Sequence, residues 1–467
     1  MLISPRWRGA TRIALFLTLL GLLGGCSSLR PWQNQSMHAD PRTLTPSEVP
    51  TEDDRSLLLV VSMSGGGARA AAFGYGVLDA LRQTPVHWNG RDKTLLDELD
   101  VISGVSGGSI MAAYYAAFGR ETFPAFETEF LQQNFQDSLI SNMLNVGNMV
   151  DLSSPWWGRS HVLERRLNEL FKGKTYGSLT SGPGQPRLLI SATDLSLGSS
   201  FEFTWSQFAL ICSDLASVPL SFAVAASSAV PIALSPMTLK NYSDTCPNPP
   251  PGANAAQRGD YRVRLLQDNQ RSYLDATSRP YIHLVDGGLA DNLGLRSLLD
   301  RSRADGGLRD SVRRTSKTAI QKLVIIAVNA ERDPAERIDA SDQVPSTSQV
   351  IDALLFGSGA RATQETLGLL SDTAQAWRRE LSREALGGND AFAPDAQIHV
   401  INVNLRDAPE LLERRILLQI PTAFSIPRAD VGRLIEAGRH ILRESAEFKA
   451  LLESLDARSS SPEAARP

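Results

Sequence analysis

Apolar residues in this chain cluster in short unbroken runs, and the stretches between them carry a helical period. Strands buried on both faces and alternating with helices produce this pattern. Leu57-Leu58-Leu59-Val60-Val61 is the first run. A glycine-rich turn from Ser64 to Gly67 and an alanine-rich helix from about Ala68 to Leu81 follow. Val101-Ile102 predicts a second strand, and another glycine-rich turn leads into a helix from about Gly108 to Phe118. Residues 120–180 read as mostly helical, with Leu163, Leu167 and Leu170 on one face. The tract holding Met143, Val150, Trp156 and Trp157 lacks a clear period and suits a cap. Further strands are expected at Leu188 to Ala192, Phe201 to Thr204, Tyr281 to Val285, Leu323 to Asn329 and Ile398 to Val403. A last amphipathic helix is expected from about Arg428 to Leu455. The polar stretch 241–280 reads as an insertion, and no internal repeat is present. The alternation predicts an α/β fold with a largely parallel sheet and helices on both faces, as one domain over residues 56–457.

The first residues follow a different logic. Arg6, Arg8 and Arg12 precede the apolar run Ile13 to Leu23, which is too short to span a bilayer but has the length of a signal-peptide core. It ends at Leu23-Gly24-Gly25-Cys26, which resembles the lipobox of bacterial lipoproteins. That resemblance implies a signal peptide over residues 1–25 and an acylated Cys26; the alternative is a plain secretory signal. Ser27 rather than Asp follows the cysteine, which favours the outer membrane, facing the periplasm, as the place in the cell envelope. Residues 26–55 are polar and without period and read as a lipidated tether, and the end beyond Arg458 as a disordered tail.

The formal charge of −4 over 467 residues, with no basic cluster interleaved with aromatics, argues against nucleic-acid binding. Cys212 and Cys246 remain as an even pair in an oxidising compartment, where they form a disulfide or stay as two unrelated thiols.

Three turns carry candidate chemistry. Gly104-Val105-Ser106-Gly107-Gly108 has the form G-x-S-x-G, a serine lifted on a tight strand-to-helix turn with the positive helix end aimed at it. Ser64-Gly65-Gly66-Gly67-Ala68-Arg69 also joins a strand to a helix, and its bare backbone N–H groups suit an oxyanion. A nucleotide loop would end in Gly-Lys-Ser/Thr, and Ala68-Arg69-Ala70 stands there instead. Asp286, after Tyr281 to Val285 and before Gly287-Gly288, can serve as a base or simply close a strand in an Asx-turn. Asp291 is its nearest competitor.

In this order, the three turns resemble those of the patatin-like phospholipases. Ala226-Ser227-Ser228-Ala229-Val230-Pro231 matches the family's A-S-x-A-x-P block, and Ala192-Thr193-Asp194-Leu195 is similar to the strand before it. The resemblance implies the family's three-layer fold, Ser106 as nucleophile and Asp286 as its base. It also implies Gly65, Gly66 and Gly67 as oxyanion donors, with Arg69 supporting their loop and Gly107 as a further donor. Ser64 and Ala70 depart from the family's usual Asp and Gly.

A membrane-lipid ester is the implied substrate, with no cofactor and no metal. A Ser-His-Asp triad in the hydrolase order would need His399 or His440, and both positions read as structural. His283 is expected to face away from Asp286 on the same strand. Two rivals remain open: an acyltransferase with the same dyad, and a catalytically silent lipoprotein that binds lipid or a partner protein.

Overall fold

The computed structural model describes residues 30–37, 56–179, 185–246, 260–313, 319–333, 338–353, 358–383 and 391–459. Its central sheet comprises β1 (Leu57–Met63), β2 (Leu99–Val105), β3 (Arg187–Asp194), β4 (Ser199–Glu202), β5 (Met237–Lys240), β6 (Tyr281–Val285), β7 (Ile320–Asn329) and β8 (Phe392–Asn404). The helices that matter below are α1 (Gly67–Arg82), α2 (Gly107–Phe118), α3 (Arg159–Leu170), α4 (Leu220–Ser227), α5 (Arg296–Ala304), α6 (Ser358–Arg383) and α7 (Arg428–Glu444).

The continuous apolar runs are explained by two cores, one on each side of the sheet. Along β1, Leu57, Leu59 and Val61 enter one core and Val60 the other; along β7, Val324 and Ile326 enter the first and Leu323 and Ile325 the second. Phe73, Val77, Ile110 and Leu434 of α1, α2 and α7 close the first core. Leu299 of α5 with Leu370 and Trp377 of α6 close the second. Strands covered on both faces have no polar side to show, so alternation is absent.

β8, β7, β1, β2 and β3 run parallel in that spatial order. The remaining strands, β4, β5 and β6, pair antiparallel. Ser191 of β3 pairs with Val105 of β2 and with Glu202 of β4, so those two strands lie on opposite edges of β3. Thr193, two residues on, pairs with Ser200 of β4 and with Val285 of β6. β6 therefore occupies the same edge of β3 as β2 and runs toward it, so the two strands meet end to end.

Several boundaries differ from expectation. A hairpin, Pro85–Trp88 with Arg91–Thr94, precedes β2. The last helix is two, α7 and Ala446–Ser459, broken where Ser445 turns extended. It runs one residue past the expected start of the tail, and residues 460–467 lie outside the described residues. The stretch read as an insertion contains a helix, Tyr261–Tyr273, with 247–259 outside the described residues. The expected tether is corrected in one part. Residues 30–37 lie against the domain, with Gln35 and Ser36 paired to Asp214 and Ser213, while 1–29 and 38–55, Cys26 included, are outside the described residues. Cys212 and Cys246 form a disulfide with Cα atoms 5.7 Å apart.

Candidate active site

Ser106 stands between β2 and α2 with φ 50° and ψ −122°, a backbone conformation that costs a non-glycine residue energy and projects its side chain out of the turn. Its Oγ donates to Asp286 Oδ2 at 2.7 Å. Asp286 leaves the end of β6, so the head-to-head meeting of β2 and β6 delivers both groups to one point. Its other oxygen, Oδ1, accepts the Gly288 N–H at 2.8 Å. Burial pushes the Asp286 carboxyl up to about 6, opposed by the hydrogen bonds from Ser106 and Gly288. An acid so placed is mostly ionised at neutral pH yet close to the range where it exchanges a proton readily.

The Ala226–Pro231 block holds the two residues in place. Ser227 Oγ accepts the Ser106 N–H at 2.8 Å and donates to the Ser191 carbonyl at 2.6 Å. The carbonyls of Ser227 and Ala229 take the N–H groups of Gly287 and Asp286, each at 3.0 Å. Thr193, in the short segment matched to the family before this block, donates to the Asp286 carbonyl at 2.8 Å. Val230 and Pro231 then line the pocket into which Ser106 and Asp286 open.

The two glycine-rich turns touch. A Cβ on Gly107 would lie 2.0 Å from the Gly67 carbonyl oxygen, so only glycine permits this approach. Gly66, at φ 142°, completes a turn that L side chains rarely adopt. Among the described residues, the N–H groups of Gly66, Gly67 and Gly107 make no hydrogen bond to the protein. Gly65 is different, and the expectation that it donates to an oxyanion is corrected here. Its N–H is engaged by the Asn292 carbonyl at 3.2 Å and by Asn292 Oδ1 at 3.1 Å. Arg69 is buried and donates to the carbonyls of Ala330 (2.8 Å) and Ile420 (2.7 Å), which makes it a buttress of the loop. Burial, with Arg332 nearby, lowers its pKa to about 9, and Glu331 opposes that shift.

The other candidates lie elsewhere. Asp291 is buried, and its carboxylate accepts the N–H groups of Leu293 (3.3 Å) and Arg296 (2.6 Å), closing the turn after a short helix, Gly288–Asp291, rather than opening the next one. His399 lies on β8, three strand positions from β2, and burial with Lys322 and Arg378 lowers its pKa to about 4. His440 is exposed on α7, and His283 pairs with Thr238 at 3.0 Å on the outer side of β6. Among the described residues no histidine lines the pocket, and no three His, Cys, Asp or Glu side chains converge as a metal site would require. Asn292, Glu331 and Arg332 also line the pocket and belong to none of the motifs the sequence shows. Asn292 follows the Asp-Gly-Gly turn by only four positions, which is the one signal that could have marked it.

Residues 61–299 match the family model for patatin-like phospholipase, a span that contains both glycine-rich turns, the Ala226–Pro231 block and Asp286. The chain belongs to the patatin-like phospholipase family. Among solved structures, human GIVD cytosolic phospholipase A2 is 14% identical with a TM-score of 0.49, over 89% of this chain and 65% of that one. VipD from Legionella pneumophila is 13% identical with a TM-score of 0.32, over 85% and 66%. This chain thus spans a little under two thirds of the length of each. No curated protein matches it by sequence.

Proposed function

We propose that this patatin-like protein is a lipid acyl hydrolase of the phospholipase A or lysophospholipase kind, working through a Ser106–Asp286 dyad and an acyl-enzyme. The observation that carries this reading is the 2.7 Å hydrogen bond from Ser106 Oγ to Asp286 Oδ2, in one pocket with Gly66, whose N–H is uncommitted among the described residues. Asp286 takes the Ser106 proton as Oγ attacks the ester carbonyl. The N–H groups of Gly66, Gly67 and Gly107 are set to hold the tetrahedral oxyanion. As the intermediate collapses, the carbon–oxygen ester bond breaks and the leaving alcohol takes the proton from Asp286. Water, deprotonated by the same carboxylate, then attacks the acyl-Ser106 carbonyl; the fatty acid leaves and Ser106 regains its proton.

The arginine-led apolar segment ending at Cys26 supports a lipid anchor that keeps the enzyme beside its substrate, in the cell envelope on the periplasmic side of the outer membrane. A fluorophosphonate probe tests the chemistry. Labelling of Ser106, together with free fatty acid released from phospholipid, is expected. An unlabelled protein would overturn the hydrolase reading in favour of a lipid- or protein-binding one, and acyl groups recovered on an added alcohol would make it a transferase.

A further inference from the structure

Residues 30–37 form a strap whose contacts outline a face of the domain. Asn34 donates to the Lys240 carbonyl at 2.9 Å and accepts the Lys240 N–H at 3.0 Å, and Trp32 packs on Tyr281 with ring centroids 5.3 Å apart. Gln33 bonds Glu164 of α3 at 3.0 Å, and the Pro31 carbonyl meets His161 Nε2 at 3.4 Å. The start of α3 in turn holds the loop after Pro231: Ser160 N–H donates to Ser235 Oγ at 3.2 Å, and Arg159 donates to the Ile232 carbonyl. Strap, helix start and loop are therefore contiguous, and Ile232 is the next residue after two that line the Ser106 pocket.

This face exposes what a soluble surface normally hides. Ile232 is 64% exposed and Tyr281 42%, and Trp156, 43% exposed, stands three residues before Arg159, whose side chain bonds the Ile232 carbonyl. Cations stand among the rings: Arg30 lies over Trp32 at 5.9 Å, and Lys240 lies between Trp32 and Tyr242 at 5.7 and 5.0 Å. Arg159, bonded to the Ile232 carbonyl, is also exposed, although the chain as a whole carries −4. Aromatic rings mixed with Lys and Arg are the composition of a membrane–water interface. The strap also begins four residues after Cys26, a length of chain that reaches at most about 14 Å. An acyl chain on Cys26 would bring this face, and no distant one, to the lipid.

We propose that this face, with Trp32, Trp156, Ile232 and Tyr281 at its centre and Arg30, Arg159 and Lys240 around them, is the surface by which the protein sits on an anionic phospholipid leaflet. The mouth beside Val230 and Pro231 then opens toward the substrate. The inference rests on the membrane-lipid reading above, but its test needs no catalysis. The full chain is reconstituted into vesicles of phosphatidylethanolamine and phosphatidylglycerol whose acyl chains are brominated, and tryptophan emission is read. Quenching is expected to fall in Trp32→Phe and in Trp156→Phe, and to persist in Trp88→Phe, whose ring is buried in the core. Ile232→Glu should also reduce it, by placing a carboxylate against the leaflet. Quenching that is absent, or indifferent to all three substitutions on the face, would overturn the proposal and leave a protein partner for this surface. Serine labelling and the mass of the Cys26 peptide report separately on the hydrolase and on the anchor.

Discussion

Ser106 and Asp286 each follow the last residue of a strand, and those strands approach one another along a single edge of β3, Val105 opposite Ser191 and Val285 opposite Thr193. Their 2.7 Å hydrogen bond is thus a product of sheet register. A one-residue slip of either strand would turn its side chain to the other face. The bond is direct, with no side chain between the two residues.

In the proposed mechanism, Asp286 gives the activity a defined acid limb. Its carboxyl sits at about 6, so hydrolysis should rise with pH through that value as the base form accumulates, and level off above it. A profile of kcat/KM against pH checks this; a limb near 4 would contradict it.

Stability should run the other way. The folded state holds the Asp286 proton up to about 6, whereas the ordinary value is 3.8. Between those values the folded chain binds more proton than the unfolded one. This contribution to stability is full below 3.8 and is lost as the pH rises through about 6. Asp286→Asn cannot ionise and should be more stable than the parent at pH ~8 by on the order of 3 kcal/mol. The gain should shrink toward pH ~4, and urea unfolding at the two pH values measures it.

Ser227 is a positioning residue. Ser227→Ala leaves the Ser106 N–H and the Ser191 carbonyl without their partner, which costs about 1–3 kcal/mol of stability. It should lower kcat by about tenfold or more while KM changes little, because the nucleophile loses its register. An unchanged kcat would remove Ser227 from the account.

The Cys212–Cys246 bridge closes a loop with a sequence separation of 34. Replacing both cysteines with serine should lower stability by about 3 kcal/mol. Thermal unfolding checks this, and Ser106 labelling of the variant at room temperature should persist.

Much of this was legible in the sequence for a physical reason. β1 and β7 carry the unbroken apolar runs Leu57 to Val61 and Leu323 to Val328 because both their faces are covered, and each of the three turns holds a glycine whose backbone approach leaves no room for a Cβ. Strand direction was not legible: the pattern of Tyr281 to Val285 reads the same in a parallel or an antiparallel strand. Nor was the engagement of Gly65, which depends on Asn292 arriving from 227 positions away. The strap reads as tether in the sequence because its eight residues carry no period; side-chain bonds from Gln33 and Asn34 hold it, and these leave no trace in hydrophobic pattern. The hairpin at 85–94 is hidden in the pattern because its second strand, Arg91-Asp92-Lys93-Thr94, has no apolar residue.

The dyad itself is tested most directly by initial rates of fatty-acid release from phospholipid for Ser106→Ala, Asp286→Asn and the double variant, beside His399→Ala. Each dyad substitution should abolish turnover, with the double variant little worse than either, because the two residues act as one unit. His399→Ala should keep near-parental rates. Near-parental turnover in Asp286→Asn, with loss in His399→Ala, would contradict the dyad and put a triad in its place.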